Sequence, residues 1–85
     1  MQQRLDKWLW FARVAKTRSL AAKLIADGYV RVNARRAKTP AKLIGPGDVL
    51  TIALHHRVRV LRVMAPGERR GSAADAAFLF EVLAP

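Results

Sequence analysis

The chain contains no cysteine. Disulfides and thiolate metal sites are therefore excluded, and packing alone must hold the fold together. Histidine is almost as scarce, with only the adjacent His55 and His56 in a segment that reads as a hairpin turn. Neighbouring strand residues point to opposite faces, so a shared metal ion is not expected there, and no Asp or Glu stands beside them at ligand spacing. The six carboxylates are scattered, and none forms an evident pair for general acid–base work. Ser19 and Ser72 lack an obvious base to make either a nucleophile. Gly45-Pro46-Gly47-Asp48 lacks the Gly-Lys-Ser/Thr ending of a nucleotide phosphate loop and reads as a turn that Asp48 stabilises. The expectation is a protein that is not an enzyme and carries neither metal nor cofactor.

Long apolar runs are also missing. None approaches the roughly 18–20 residues that span a bilayer. The start, MQQRLDKWLW, mixes charges among its apolar positions and lacks the h-region of a signal peptide. A soluble, cytoplasmic monomer with no membrane partner is expected. With 85 residues the chain makes one small domain, 1–85, and its apolar fraction of 52% is that of a folded protein rather than a disordered one.

What the chain has in excess is positive charge. Sixteen Lys and Arg face six Asp and Glu, a net of +10. Residues 1–43 hold eleven basic and two acidic groups, whereas residues 44–85 hold five and four. The first half thus carries a net +9 and the second +1, which gives the molecular field a direction. A one-sided excess points to a polyanion, with nucleic acid well ahead of a membrane surface.

Leu5, Trp8, Leu9 and Ala12 recur at helical spacing, with Asp6, Trp10 and Arg13 roughly opposite, which predicts a first helix ending near Ala15. Thr17 or Ser19 caps a second helix whose buried stripe is Leu20, Ala21, Leu24 and Ile25, and Asp27-Gly28 ends it. Tyr29 to Asn33 alternates like a half-buried strand. Residues 34–47 show no apolar period and read as a basic loop closing in a turn. Val49 to Leu54 and Arg57 to Met64 are further strands, the latter with Val58 and Val60 facing away from Arg57 and Arg59 and a slip or bulge at Leu61-Arg62-Val63. A turn-rich connection, PGERRGSAAD, precedes a last strand in AAFLFEVL. The class is α+β, two helices and then a small, mostly antiparallel sheet.

The basic residues fall into two sets. Arg4 and Lys7 are neighbours on the first helix. Arg13 and Lys16 lead into Thr17, Arg18 and Ser19, at a helix start whose free amides and partial positive charge favour phosphate oxygens. Arg18 offers a bidentate fork and Lys16 a point charge. The second set is Arg31, Arg35, Arg36, Lys38 and Lys42, in and after the first strand. Such a loop can return beside the first set, so that both border one groove suited to the backbone of folded RNA. Trp8 is a core residue. Trp10 can stack on a base or lie under the carboxyl-terminal segment. The sheet lacks the interleaved aromatic and basic pattern of single-strand readers, which favours recognition by shape and phosphate.

The order of these pieces resembles a known family. Arg4 to Ile52 looks like the RNA-binding domain of ribosomal small-subunit protein S-four, the alpha-L RNA-binding motif. Arg4-Leu5-Asp6-Lys7-Trp8-Leu9-Trp10, Ala12-Arg13, Lys16-Thr17-Arg18, Val32-Asn33 and Gly47-Asp48 resemble more closely the bacterial ribosome-associated small heat-shock protein family. Glu68-Arg69-Arg70-Gly71-Ser72 with Leu79-Phe80-Glu81 is similar to that family's continuation, so residues 4–52 form the core motif and 53–85 a β extension. The resemblance implies two helices against an antiparallel sheet, and an RNA surface at the start of the second helix and the loop after the first strand. On matching positions it implies contacts from Arg4, Lys7, Arg13, Lys16, Thr17, Arg18, Lys23 and Asn33, with Arg35, Arg36 and Lys38 in the loop. The implied partners are ribosomal RNA and the large ribosomal subunit, dissociated with a nascent chain still on transfer RNA and recycled after stress. The family often has Gly where this chain has Ala34, and its Lys-Pro-Ser appears as Lys38-Thr39-Pro40-Ala41. The basic extension of many members does not follow Pro85, which makes this either a short member or a truncated one. The alternative reading is an accessory RNA-binding module of a pseudouridine synthase or methyltransferase.

Overall fold

A computed structural model describes residues 1–84. The elements run β1 (Gln3–Arg4), α1 (Leu5–Phe11), α2 (Arg18–Ala26), β2 (Val30–Val32), β3 (Arg35–Arg36), β4 (Leu43–Ile44), β5 (Val49–Leu54), β6 (Arg57–Val63), α3 (Ala73–Ala76) and β7 (Phe80–Ala84), with a 3-10 turn at Ala77–Leu79. Five strands form one antiparallel sheet in the order β3-β2-β5-β6-β7, and β1 pairs with β4 in a separate two-stranded ribbon. This is the expected α+β arrangement.

The core lies between the two long helices and one face of the sheet. Leu5, Trp8 and Leu9 of α1, Ala21 and Ile25 of α2, and Val30, Leu50, Ile52 and Leu61 of the sheet are all fully buried. Trp8 is the largest of them; its indole Nε1 donates to the Ala65 carbonyl at 2.9 Å, so the polar edge of the ring is satisfied inside the core. Phe80 meets that ring edge-on at 6.3 Å.

The first helix stops at Phe11, a turn earlier than its apolar period suggested, because Arg13 takes a left-handed φ of 60°. Thr17 is the cap of α2, its hydroxyl accepting from the Leu20 amide at 3.0 Å. At the other end Gly28, at φ 89°, reverses the chain into β2. The predicted stripe of α2 narrows to Ala21 and Ile25. Leu24 is half-buried and Leu20 is 47% exposed, since Leu20 lies about 120° around the helix from the line through residues 21 and 25. Asp6, expected opposite the core, is instead buried at 5% exposure, enclosed by the loop that returns over the start of α1.

Three further segments differ from the sequence reading. Residues 34–47 are not an irregular loop throughout: β3 pairs back on β2, and β4 pairs with β1. Strand β6 has no slip against β5, whose register holds from Val49↔Arg62 to Leu54↔Arg57. The irregularity lies on its other side, between Val60 and Leu61, where β7 carries the extra residue. Arg57 and Arg59 therefore share the alternation of buried Leu61 and Val63, and Arg59 lies over the Phe80 ring at 5.6 Å. Partial burial, and secondarily repulsion from Arg57, lower the Arg59 pKa from its ordinary value. The connection before β7 holds α3, fixed by a reciprocal Ser72–Asp75 capping box, and so β7 begins only at Phe80.

His55 and His56 occupy the β5–β6 turn as expected, but their rings stand 4.0 Å apart rather than on opposite faces. His56 is at φ 118°, and turn residues do not keep a strand's alternation. Among the described residues no group of three His, Asp or Glu is placed to hold a metal ion, and no helix is long and apolar enough to cross a membrane.

Candidate nucleic-acid interface

The basic loop reaches the helices through its own backbone. Strand β4 pairs Leu43 with Arg4 and Ile44 with Gln3, which draws residues 37–42 across the start of α1. There the Leu5 amide donates to the Lys42 carbonyl at 2.8 Å and the Asp6 amide to the Pro40 carbonyl at 3.1 Å. A helix start has amides with no partner inside the helix. In α1 these are satisfied by the loop rather than by a side-chain cap. The two basic sets, about twenty residues apart in sequence, thus meet at one place.

Asp6 is the joint between the two helix starts of the first set. Its carboxylate accepts both Arg4 Nε at 3.1 Å and Arg4 Nη2 at 3.0 Å, and also the Lys7 amide at 2.8 Å. Arg18 Nη2 approaches the same carboxylate at 3.6 Å. One buried acid therefore aims two half-exposed guanidinium groups, one from each helix start, out of the same edge. The link from Asp6 to Arg18, which joins two helices, has no local signal in the sequence.

Next to this edge is a concave groove of about 590 Å³, lined by Val32, Asn33, Arg35, Arg36, Lys38, Thr39 and Lys42. Strand β3 sets Arg36 opposite Arg31 and Arg35 opposite Val32, so like charges face each other across the hairpin. Such a pairing is unfavourable alone and is relieved by a bound anion. The guanidinium of Arg36 also lies flat against Gly28: a Cβ there would come within 2.3 Å of Nη2. The end of α2 thereby locates an arginine of the loop.

Asn33 holds the turn instead of projecting from it. It donates from Nδ2 to Asp48 Oδ1 at 3.0 Å and accepts the Val49 amide at 2.9 Å. Asn33 and Ala34 have φ of 51° and 70°, the two left-handed residues of a tight hairpin turn. The turn is thus retained with Ala34. Asp48 in turn accepts the Gly45 amide at 2.9 Å, which stabilises its own turn as expected.

The remaining candidates are more dispersed. Lys16, just before the α2 cap, and Ser19 and Lys23 on α2 are exposed, and Lys23 pairs with Asp27 at 3.0 Å. Lys7 Nζ sits 5.6 Å from the Phe11 ring centre. Arg13 turns towards the carboxyl-terminal segment and donates to the Gly71 carbonyl at 2.9 Å. Trp10 lies under that segment, with Arg70 over its ring at 5.4 Å. Arg70 Nη1 also donates to the carbonyls of Trp10 at 2.7 Å and Ala15 at 3.2 Å, clamping the turn that presents Lys16, Thr17 and Arg18. Nothing local in the sequence signals this clamp, because its partners lie more than fifty residues away.

Comparison with known proteins places the same region in a family. The S4 domain model matches residues 3–50. Heat shock protein 15 of Escherichia coli is 42% identical over 81 residues, covering 95% of this chain and 60% of that protein. Small ribosomal subunit protein uS4 of Aquifex aeolicus is 38% identical over 52 residues, covering 61% of this chain and 25% of that protein. The trimeric structure of Vibrio cholerae heat shock protein 15 superposes with a TM-score of 0.91 at 36% identity, covering 99% of this chain and 84% of that one. The chain spans 60% of the length of the Escherichia coli relative.

Proposed function

The chain belongs to the S4 domain family and groups with heat shock protein 15, and from that premise we propose that it is a non-enzymatic, cytoplasmic RNA-binding protein acting in the heat-shock response. Its target is structured ribosomal RNA on the large subunit, with peptidyl transfer RNA still present, and its role is to help recycle stalled subunits. The observation that carries the reading is that the loop of the second basic set is hydrogen-bonded onto the start of α1 through the Pro40 and Lys42 carbonyls, where Asp6 holds Arg4 and Arg18 on one edge. A cationic edge beside a groove lined by Arg35, Arg36, Lys38 and Lys42 suits successive phosphates of folded RNA better than an isolated cluster would.

Within this reading Arg4, Arg18, Arg35, Arg36, Lys38 and Lys42 contact phosphates directly, and Lys16, Ser19 and Lys23 extend the contact along α2. Thr17 fixes the helix start. Asn33 fixes the turn that carries the loop arginines. Lys7 and Arg13 supply charge at the margin. Relatives that match 95% of the chain are heat shock proteins, which favours this reading over an accessory module of a modifying enzyme.

Co-sedimentation with purified ribosomal subunits tests the proposal. The expected result is binding to large subunits in preference to small ones, abolished by ribonuclease. Binding that survives complete ribonuclease digestion would assign the basic surface to an acidic protein instead. Light scattering of the free chain reports its assembly: the sequence reading expects a monomer, and a trimer like that of the Vibrio cholerae relative is the other outcome.

A further inference from the structure

Beside the cationic edge, on the other flank of α2, lies an apolar slot that the phosphate contacts do not use. Val14, Leu20, Leu24 and Tyr29 line it together with Lys16, Lys23 and Asp27, the last paired with Lys23, and its volume is about 510 Å³. Leu20 and Tyr29 are 47% and 51% exposed, although the neighbouring Ala21, Ile25 and Val30 are fully buried. The slot is continuous, through Leu24 and Tyr29, with a second depression reaching Leu54.

The charged lining decides what fits. Lys16 has no ion-pair partner among the described residues, and the Lys23 side chain is 71% exposed despite its pairing with Asp27. An apolar slot lined by a phenol ring and by ammonium groups suits a planar, uncharged ring flanked by anions. Lys16 also directly precedes Thr17, the cap of α2, so the slot opens one residue from the helix start proposed to hold phosphate. We propose that this slot receives an unpaired nucleobase of the bound RNA, stacked on Tyr29, with its flanking phosphates at Lys16 and Lys23. The inference rests on the RNA-binding reading above and adds that an unpaired nucleotide is recognised beside the folded backbone.

The test uses the full chain and two RNA probes. One is a hairpin whose single-stranded loop carries 5-iodouridine; the other is a fully paired duplex with the same stem. Irradiation is expected to crosslink the loop to the tryptic peptide Leu24–Arg31, at Tyr29. Tyr29→Ala is expected to lower affinity for the hairpin about ten-fold, the loss of one stacked base, while leaving the duplex unaffected. Tyr29→Phe restores hairpin binding, which separates stacking from any effect on folding. Hairpin affinity unchanged in Tyr29→Ala, with Lys16→Ala/Arg18→Ala still binding poorly, overturns the slot and leaves the RNA reading standing. If neither variant affects either probe, the RNA reading itself fails. If Tyr29→Ala abolishes binding to large subunits but not to the hairpin, the slot belongs to a protein partner and the proposal is wrong.

Discussion

Two glycines allow the link between α2 and the loop to be measured separately from backbone strain. Gly28 and Gly47 have nearly the same φ, 89° and 96°. Alanine at either position costs about 1–2 kcal/mol, because a Cβ in the left-handed region crowds the following carbonyl. Their surroundings differ. A Cβ at Gly47 meets nothing within 4 Å, whereas at Gly28 it lands 2.3–2.5 Å from the Arg36 guanidinium. A guanidinium is the far end of a flexible side chain, so Arg36 swings away at little further cost in stability. Gly28→Ala and Gly47→Ala should therefore lower the melting temperature by similar amounts, about 4–8 °C per kcal/mol for a domain of this size. Their RNA binding should diverge. Gly47→Ala keeps the wild-type salt dependence, while Gly28→Ala loses one phosphate contact and its log–log salt slope becomes shallower by about 0.9. Thermal melts and salt-titrated binding of both variants give the answer. Identical salt slopes for wild type and Gly28→Ala would refute the role assigned to Arg36, and an unchanged melting temperature in Gly47→Ala would refute the strain reasoning itself.

Other substitutions probe the remaining parts. Ala34→Gly relieves the left-handed strain at φ 70° and should raise stability by about 0.5–1 kcal/mol in chemical denaturation, net of the added chain entropy. Asn33→Ala removes the two hydrogen bonds to Asp48 and Val49 and should cost about 1–3 kcal/mol, while weakening RNA binding through the displaced loop. Lys16→Ala/Arg18→Ala should reduce affinity for large subunits far more than Arg57→Ala/Arg59→Ala, since Arg59 is partly spent on Phe80; equal losses in a filter-binding assay would move the site onto the sheet. Asp6→Asn releases Arg4 and Arg18 from their shared carboxylate, and should broaden the range of RNAs bound, as competition assays with unrelated RNAs would show.

The sequence made the architecture readable where one local signal dominated. The periods of α1 and α2, the Thr17 cap, the Asp27-Gly28 ending and the alternation of β2 are all local patterns, and each element appears in the structure. Long-range pairing was not readable. β3 and β4 are two residues each, too short to show a period, and exist because β2 and β1 offer them partners. The same holds for the site. The expectation that the basic loop returns beside residues 16–18 followed from the order of elements. The link from Arg18 to Arg4 through Asp6 depends on a loop folding over α1 and enclosing an acid that the helical wheel placed outside. The slip expected at Leu61-Arg62-Val63 lies elsewhere for a related reason: the irregularity of the sheet sits between Val60 and Leu61 in the β6–β7 pairing, and the β5–β6 register is unbroken. The clamping role of Arg70 was not legible, because contacts across more than fifty residues leave no local trace.

The central claim is that two sets of cations, brought together at the start of α1, hold successive phosphates of ribosomal RNA. Binding to purified large subunits measured across a range of monovalent salt tests it most directly. The six direct phosphate contacts assigned above give a log–log slope on the order of −5, and Arg4→Ala/Arg18→Ala should flatten it by about two units. A slope near zero in the wild-type chain, or one that the double variant leaves unchanged, would contradict the account.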